Sequence, residues 1–221
     1  MSKKSERSEK IVTGEFIVSW PRVFVPQKNE AGNDKYSLNM LFEKNSETIK
    51  TLSALAVDVA KAKWGNKVKL VAKWDEEEAD DTWVVHPFRD GDKKARRKPD
   101  LYGTYKGKIA LSASCTNVPP GIADSYKDPA TGKIKIIDNP NDFYAGCIAR
   151  ATINLYTSDH KGIKRVCVGL HNLQKLKDGD RLAGGKTNVE DDFDAVEDLS
   201  VCAEETEDIL GECDDAISFE M

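Results

Sequence analysis

The sequence predicts a mainly β fold with one inserted α-helix and a disordered acidic C-terminal tail. Three observations lead there. β-Branched and aromatic residues recur in short runs bounded by Gly, Pro, Asn and Asp, the pattern of strands joined by turns. One stretch, from Asn45 to Gly65, repeats its apolar residues at helical spacing instead. Beyond Lys186, the last base in the chain, the sequence is acidic with scattered apolar residues, too few to build a core.

Taken in order, the run Glu15–Phe24 reads as a strand, with Pro21 forcing a bulge or an edge. Residues 26–35 hold Pro26, Asn29, Gly32 and Asn33 and read as a loop. Residues 36–43 read as a strand returning on the first. The helix starts at a cap on Asn45 or Ser46 and presents Ile49, Leu52, Leu55, Ala56, Val59 and Ala60 on one side. It stops near Trp64, where Gly65 suits a left-handed C-cap. Residues 67–74 and 82–88 are further strands, separated by the acidic run Asp75–Asp81. Residues 107–115 form another strand, and Asp128–Lys133 a turn. The segment 143–157 is a long strand in which Gly146 marks a bend. A loop over 158–162 returns to a strand over 163–170. Several strands and one helix, without repeated βα units, argue for an all-β or α+β fold, and periodicity does not separate a barrel from a sandwich. An OB-fold-like Greek-key barrel accommodates such long loops and one inserted helix. The chain thus divides into a flexible polar leader (1–10), a barrel domain (11–186) and the tail (187–221).

Composition narrows the function. No run of about 18 apolar residues occurs, so no transmembrane helix is expected. Cys115, Cys147, Cys167, Cys202 and Cys213 form no CxxC pair, and His86, His160 and His171 are scattered, so neither a zinc site nor a disulfide framework is expected. This reads as a reduced, cytoplasmic protein. The net charge of −5 conceals a segregation: residues 187–221 carry seven Asp and seven Glu and no base, while residues 1–186 carry all 33 bases against 24 acids. A cationic body with an anionic tail points to a polyanion as partner.

The segment Arg89–Lys98 supplies six bases (Arg89, Lys93, Lys94, Arg96, Arg97 and Lys98) in ten residues. Trp83 and Phe88 precede it; Tyr102, Tyr105, Lys106 and Lys108 follow. Cations that follow phosphates and aromatic faces that stack bases are the two needs of a single-strand binder. Taken alone, the segment is equally a solvated basic loop beside core aromatics. Lys161, Lys164 and Arg165 border the last hairpin loop, and Lys28 and Lys35 the first; in OB barrels these loops flank the nucleic-acid groove. No GxSxG, P-loop, HExxH or strand-borne GxGxxG is present, so neither catalysis nor a cofactor is expected. Two rivals stand beside this reading. One is a metal-dependent DNA-processing enzyme using the carboxylates of 75–81. The other is an acidic-tailed interaction protein that does not bind DNA.

The run Gly169-Leu170-His171-Asn172-Leu173-Gln174-Lys175-Leu176-Lys177-Asp178-Gly179-Asp180-Arg181-Leu182-Ala183-Gly184-Gly185, followed by Glu190-Asp191-Asp192-Phe193, resembles the closing signature of a phage family. That family comprises OB-fold single-stranded-DNA-binding proteins of phage replication modules, formerly a domain of unknown function. Tyr36-Ser37-Leu38 and Asp142-Phe143-Tyr144-Ala145-Gly146 match it too, so the resemblance spans residues 11–194. His171 stands where the family tends to have Asn. The resemblance implies sequence-independent, helix-destabilising binding of single-stranded DNA in replication or recombination, in the cytoplasm of the infected bacterial host. It also implies a regulatory tail. Asp214, Asp215, Phe219 and Glu220 are the residues expected to contact replication proteins such as a polymerase or helicase, although Glu220 and Met221 follow the aromatic residue. A second copy of the chain is a further expected partner.

Overall fold

The computed structural model describes residues 6–182, apart from 74, 76, 77 and 130. Among these described residues eleven strands and three α-helices appear in the order β1 (Ile11–Val12), β2 (Phe16–Lys28), β3 (Asp34–Glu43), α1 (Glu47–Trp64), β4 (Lys69–Val71), β5 (Trp83–Val85), β6 (Phe88–Asp90), α2 (Gly91–Arg97), α3 (Pro99–Tyr102), β7 (Lys108–Thr116), β8 (Gly121–Lys127), β9 (Ile134–Ile136), β10 (Ile148–His160) and β11 (Ile163–Lys177). A 3-10 turn, Gly103–Tyr105, follows α3.

Five strands close into a ring. β2 pairs with β3, β3 with β7, and β10 with both β11 and β2, all antiparallel. The one parallel seam of the ring joins β11 to β7 at Gly169 and Ser114. The mainly β prediction is therefore met, with the ring connectivity of a Greek-key barrel. Inside lie Phe16, Val18, Leu38, Met40, Phe42, Leu111, Ala151, Ile153, Leu155, Val166, Val168 and Leu170, all buried. Helix α1 joins this core through Ile49, Leu52, Ala56, Val59 and Ala60. Its ends are those read from the sequence. The Ser46 hydroxyl accepts from the Ile49 N–H, and Gly65 closes the last turn at φ 87°, a conformation that favours glycine. No helix among the described residues is long and apolar enough to cross a membrane.

Several elements differ from the sequence reading, each for a local reason. The first loop shrinks from 26–35 to 29–33 because β2 continues its pairing through Lys28 and Asp34, and the Asn29 carboxamide accepts from the N–H groups of Ala31 and Asn33. β11 runs on to Lys177, since a bulge at His171 interrupts the alternation without ending the strand. β8 and β9 carry no clear alternation and escape sequence reading; β8 is held by pairing with β11. From Glu6 onward the leader is hydrogen-bonded along β10. Ser8 donates its N–H to the Leu155 carbonyl, and the Glu6 N–H donates to the Thr157 hydroxyl, so the segment extends β1 along the edge of β10.

The two signature segments meet in one latch. The Tyr144 hydroxyl donates to the Asp178 carboxylate at 2.9 Å and accepts from the Gly179 N–H at 3.3 Å. The Arg181 guanidinium lies 4.1 Å from the Tyr144 ring centroid. Gly146, at φ 113°, admits the Asp180 carbonyl to within 1.9 Å of where a Cβ would stand. Burial, followed by the bond to Asp178, raises the Tyr144 phenol above its usual pKa. This part of the resemblance therefore has a structural function.

Substituting Gly146→Ala should cost at least about 1–2 kcal/mol, from the positive φ alone. Urea unfolding followed by circular dichroism checks this; an unchanged midpoint would contradict the latch.

Candidate nucleic-acid interface

Strand alternation sorts β3 and β7 into two faces. Leu38, Met40 and Phe42 point inward with Leu111 and Ala113; Ser37, Asn39 and Leu41 point outward with Ala110, Ser112 and Ser114. Register places Leu41 opposite Ala110, Asn39 opposite Ser112 and Ser37 opposite Ser114. The outer face is thus apolar at one end and lined by small polar side chains beyond it.

The segment from Gly91 to Tyr105 covers the apolar end. Tyr105 is 1% exposed and packs with Leu41 and Ala110. Its hydroxyl bonds the Ser19 hydroxyl at 2.9 Å and accepts from the Asn39 amide at 3.3 Å. Burial raises its pKa, only partly opposed by those bonds, so the phenol stays protonated. Helix α2 approaches closely because Gly91 has no side chain: a Cβ there would stand 2.0 Å from the Tyr105 carbonyl oxygen. Lys44 holds the start of the helix, bonding Asp90 at 3.0 Å and Asp92 at 2.6 Å. Asp92 also accepts the Gly107 N–H at 2.7 Å. The Gly107 bond and then Lys44 keep the Asp92 carboxyl below its usual range.

Anchoring Tyr105 places Tyr102. The two rings meet edge to face with centroids 5.0 Å apart, and Tyr102 remains half-buried at the rim. The Lys94 ammonium lies 5.1 Å from both ring centroids. Desolvation, with Arg89 adding to it, lowers the Lys94 pKa.

Opposite Tyr102 stands Trp20. β2 carries one residue more than β3 between Ser19 and Arg22, a bulge at Trp20-Pro21. Trp20 takes φ 49°, rare for a bulky residue and further disfavoured before proline. Strain of this kind persists where the surroundings enforce it, and it clusters at functional sites. Trp20 is 42% exposed. Trp20 and Tyr102 line an open cleft of about 350 Å³ floored by Ser37, Asn39 and Ser112, with Arg22 and Gln27 at its side. Arg22 makes no ion pair among the described residues.

The structure gathers only some of the residues singled out from the sequence. Residues 93–97 are helical, not a loop: α2 presents Lys93, Arg96 and Arg97 to solvent at helical spacing, with Lys98 and Lys106 exposed nearby in sequence. Tyr105 is buried and offers no ring face to a base, which corrects its assignment. Phe88 packs against the core, and half-buried Trp83 sits on β5 opposite Lys69; neither lines the cleft. Arg89 is exposed on β6 beside Ala110. Lys161, Lys164 and Arg165 lie at the β10–β11 turn; Lys164 donates to the Asp81 carbonyl at 2.5 Å and Arg165 pairs with Val85. Lys28 is tied to Asp34 at 2.7 Å. His160 comes within 3.8 Å of Glu30, bringing the β2–β3 and β10–β11 turns together. Asp80, in the acidic run, accepts from the N–H and hydroxyl of Thr82 in a turn. Among the described residues no group of three or more His, Cys, Asp or Glu is placed to hold a metal. Asp214, Asp215, Phe219 and Glu220 lie outside the described residues. Sequence reading missed Trp20 and Arg22, although a tryptophan preceding proline within a strand was a visible signal.

Residues 9–209 match the family model described as Enterobacter phage Enc34, ssDNA-binding protein. A search of curated proteins found no match. Among solved structures, the C-terminally truncated single-stranded-DNA-binding protein of bacteriophage Enc34 is similar at a TM-score of 0.57 and 20% identity, over 78% of this chain and 87% of that one. The same phage protein in complex with ssDNA gives 0.55 and 20%, over 79% and 89%. The single-stranded-DNA-binding protein gp2.5 of bacteriophage T7 gives 0.54 and 12%, over 83% and 92%. At these identities the likeness to the solved structures is one of fold.

Tyr105→Phe should destabilise the protein by about 1–3 kcal/mol, because it strands the buried Ser19 hydroxyl and removes the bond to the half-buried Asn39 amide. Chemical denaturation is the check; a destabilisation no larger than that of Tyr102→Phe would contradict the anchoring role.

Proposed function

The chain belongs to the family of the Enterobacter phage Enc34 single-stranded-DNA-binding protein, and from that premise we propose that it binds single-stranded DNA along the outer face of β2, β3 and β7. One observation carries this reading: two accessible aromatics, Trp20 and Tyr102, flank a small polar floor beside Arg22. Bases stack on the rings, and Arg22, Lys94 and the exposed face of α2 follow the phosphates. Stacking and charge tolerate any sequence, so binding is sequence-independent. Support also comes from the barrel, since the second and third strands of an OB-type barrel and its first and last hairpin loops form the usual oligonucleotide face. Here those are β3, β7 and the turns that meet at Glu30 and His160. The activity is binding without catalysis.

The proposal extends to the cell. The protein coats and protects single strands during phage DNA replication or recombination inside the bacterial host. The segment 187–221, with its seven Asp and seven Glu, competes for the cationic groove until DNA displaces it, and then engages a polymerase or helicase. The segregation of charge along the sequence supports this part of the reading.

Trp20→Ala should weaken oligo-dT binding by about 1–3 kcal/mol, the worth of one stacked base. Fluorescence anisotropy of a labelled oligonucleotide reads it, and undiminished affinity would remove Trp20 from the site. Neutralising Lys93, Arg96, Arg97 and Lys98 together should flatten the salt dependence of binding by about 0.7 for each phosphate that these bases neutralise. An unchanged slope would detach α2 from the path of the strand. Removing residues 187–221 should tighten binding at low salt, and the gain should vanish near 1 M salt, where the Debye length is about 3 Å. Equal affinity of both forms at low salt would rule out competition by the tail.

A further inference from the structure

The face that carries Ser112 continues along β7 to Ser114, which lines a second cleft of about 550 Å³ between the end of β7 and the β10–β11 hairpin. Tyr156 and His171 line it from the hairpin, Ser114 and Thr116 from β7. Val118 and Pro119 add to the wall, and Arg7 and Lys10 of the N-terminal segment bound along β10 complete it.

The segment sorts its charges. Glu6 and Glu9 line a neighbouring cavity against Leu55 and Asp58 of α1 and do not line the second cleft; Arg7 lines both, and Lys10 lines the second cleft alone. Arg7 and Lys10 are exposed, and neither makes an ion pair among the described residues. The Arg7 guanidinium sits 5.5 Å from the Tyr156 ring centroid. Their fields converge on His171, whose Nε2 lies 2.8 Å from the Asn154 side-chain oxygen. Burial first, then Lys10 and Arg7, lowers the pKa of that imidazole. Backbone bonds from Ser8 to Leu155 and from Thr13 to Ala151 fix the segment on the strand whatever these side chains do. Two unneutralised cations on a strapped backbone, beside hydroxyls and an aromatic ring, are suited to an anionic polymer that carries rings.

We propose that residues 6–12 are part of the DNA-binding surface, with Arg7 and Lys10 holding phosphates of the strand after it leaves the first cleft by way of Ser112 and Ser114. This rests on the reading that the outer face binds single-stranded DNA. It adds a second contact zone that only a longer strand reaches. It also gives the N-terminal segment a role in setting the length of DNA bound.

The test uses the full chain, the double variant R7Q/K10Q and a charge-matched control, K61Q/K67Q, at exposed positions on or just after α1. Binding of oligo-dT of about 4 and about 12 nucleotides, within the range of site sizes for one OB fold, is measured over a salt series. For the longer oligonucleotide, R7Q/K10Q should flatten the salt slope by about 1.4, that is 0.7 for each of two phosphates. The shorter oligonucleotide should bind the variant and the unaltered protein alike, and the control should match the unaltered protein at both lengths. An unchanged slope for the longer strand, or an equal reduction at both lengths or in the control, would overturn the assignment and leave the outer-face reading standing. Failure of the unaltered protein to bind either oligonucleotide would instead defeat that reading, and this inference with it.

Discussion

A strand has two faces, and when a sheet closes on itself only one of them can be filled by the core. Every other residue of the ring is therefore committed to the outside, where it must be covered, solvated or used. On β3 and β7 the outward positions are divided. Leu41 and Ala110 are covered by Tyr105, while Ser37, Asn39, Ser112 and Ser114 stay short and polar. The depth of the first cleft follows from that division. A larger side chain at Ser112 would fill it, and an uncovered Leu41 would leave apolar surface in water.

The cover and the cleft depend on each other. Tyr105 buries an aromatic ring on the sheet, and its hydroxyl is matched by Ser19 and Asn39. That one anchor fixes the polypeptide between α2 and β7, so that Tyr102 stands at the rim and Lys94 over both rings. Gly91 allows the close approach and Lys44 holds the helix start. The basic residues of α2 thus stand on a supported helix, and the desolvation cost of Lys94 is offset by the two ring faces beside it. Across the cleft the bulge turns Trp20 outward at the expense of backbone strain. Rigid placement of accessible aromatics is what base stacking requires, because a ring already held in place loses less entropy on binding.

The sequence was legible where one physical signal dominated. Helix α1 has apolar spacing, a serine cap and a terminal glycine that agree, and its ends fall where these signals put them. The long strands were legible by alternation, up to the bulge at His171 that ends it locally. β8 was not, because its Gly-Ile-Ala-Asp-Ser-Tyr-Lys run owes its strand conformation to a partner remote in sequence. The site was half legible. The basic run and Tyr102 were visible as charge beside an aromatic. Tyr105, three residues on, looks the same in sequence, and only the pairing of β3 with β7 decides that it is buried. Trp20 lay inside a run read only as a strand and was not singled out. The leader read as mobile because its composition is polar; composition is blind to the backbone bonds that pair it with β10.

The central claim is that the strand lies on the outer face between Trp20 and Tyr102. Photo-crosslinking with oligonucleotides carrying 5-bromouracil, followed by mass spectrometry of the adducts, tests it directly. The account predicts adducts on the peptides that contain Trp20 and Tyr102. Adducts confined to α1 or to Tyr126 on β8, with none at the cleft, would contradict it.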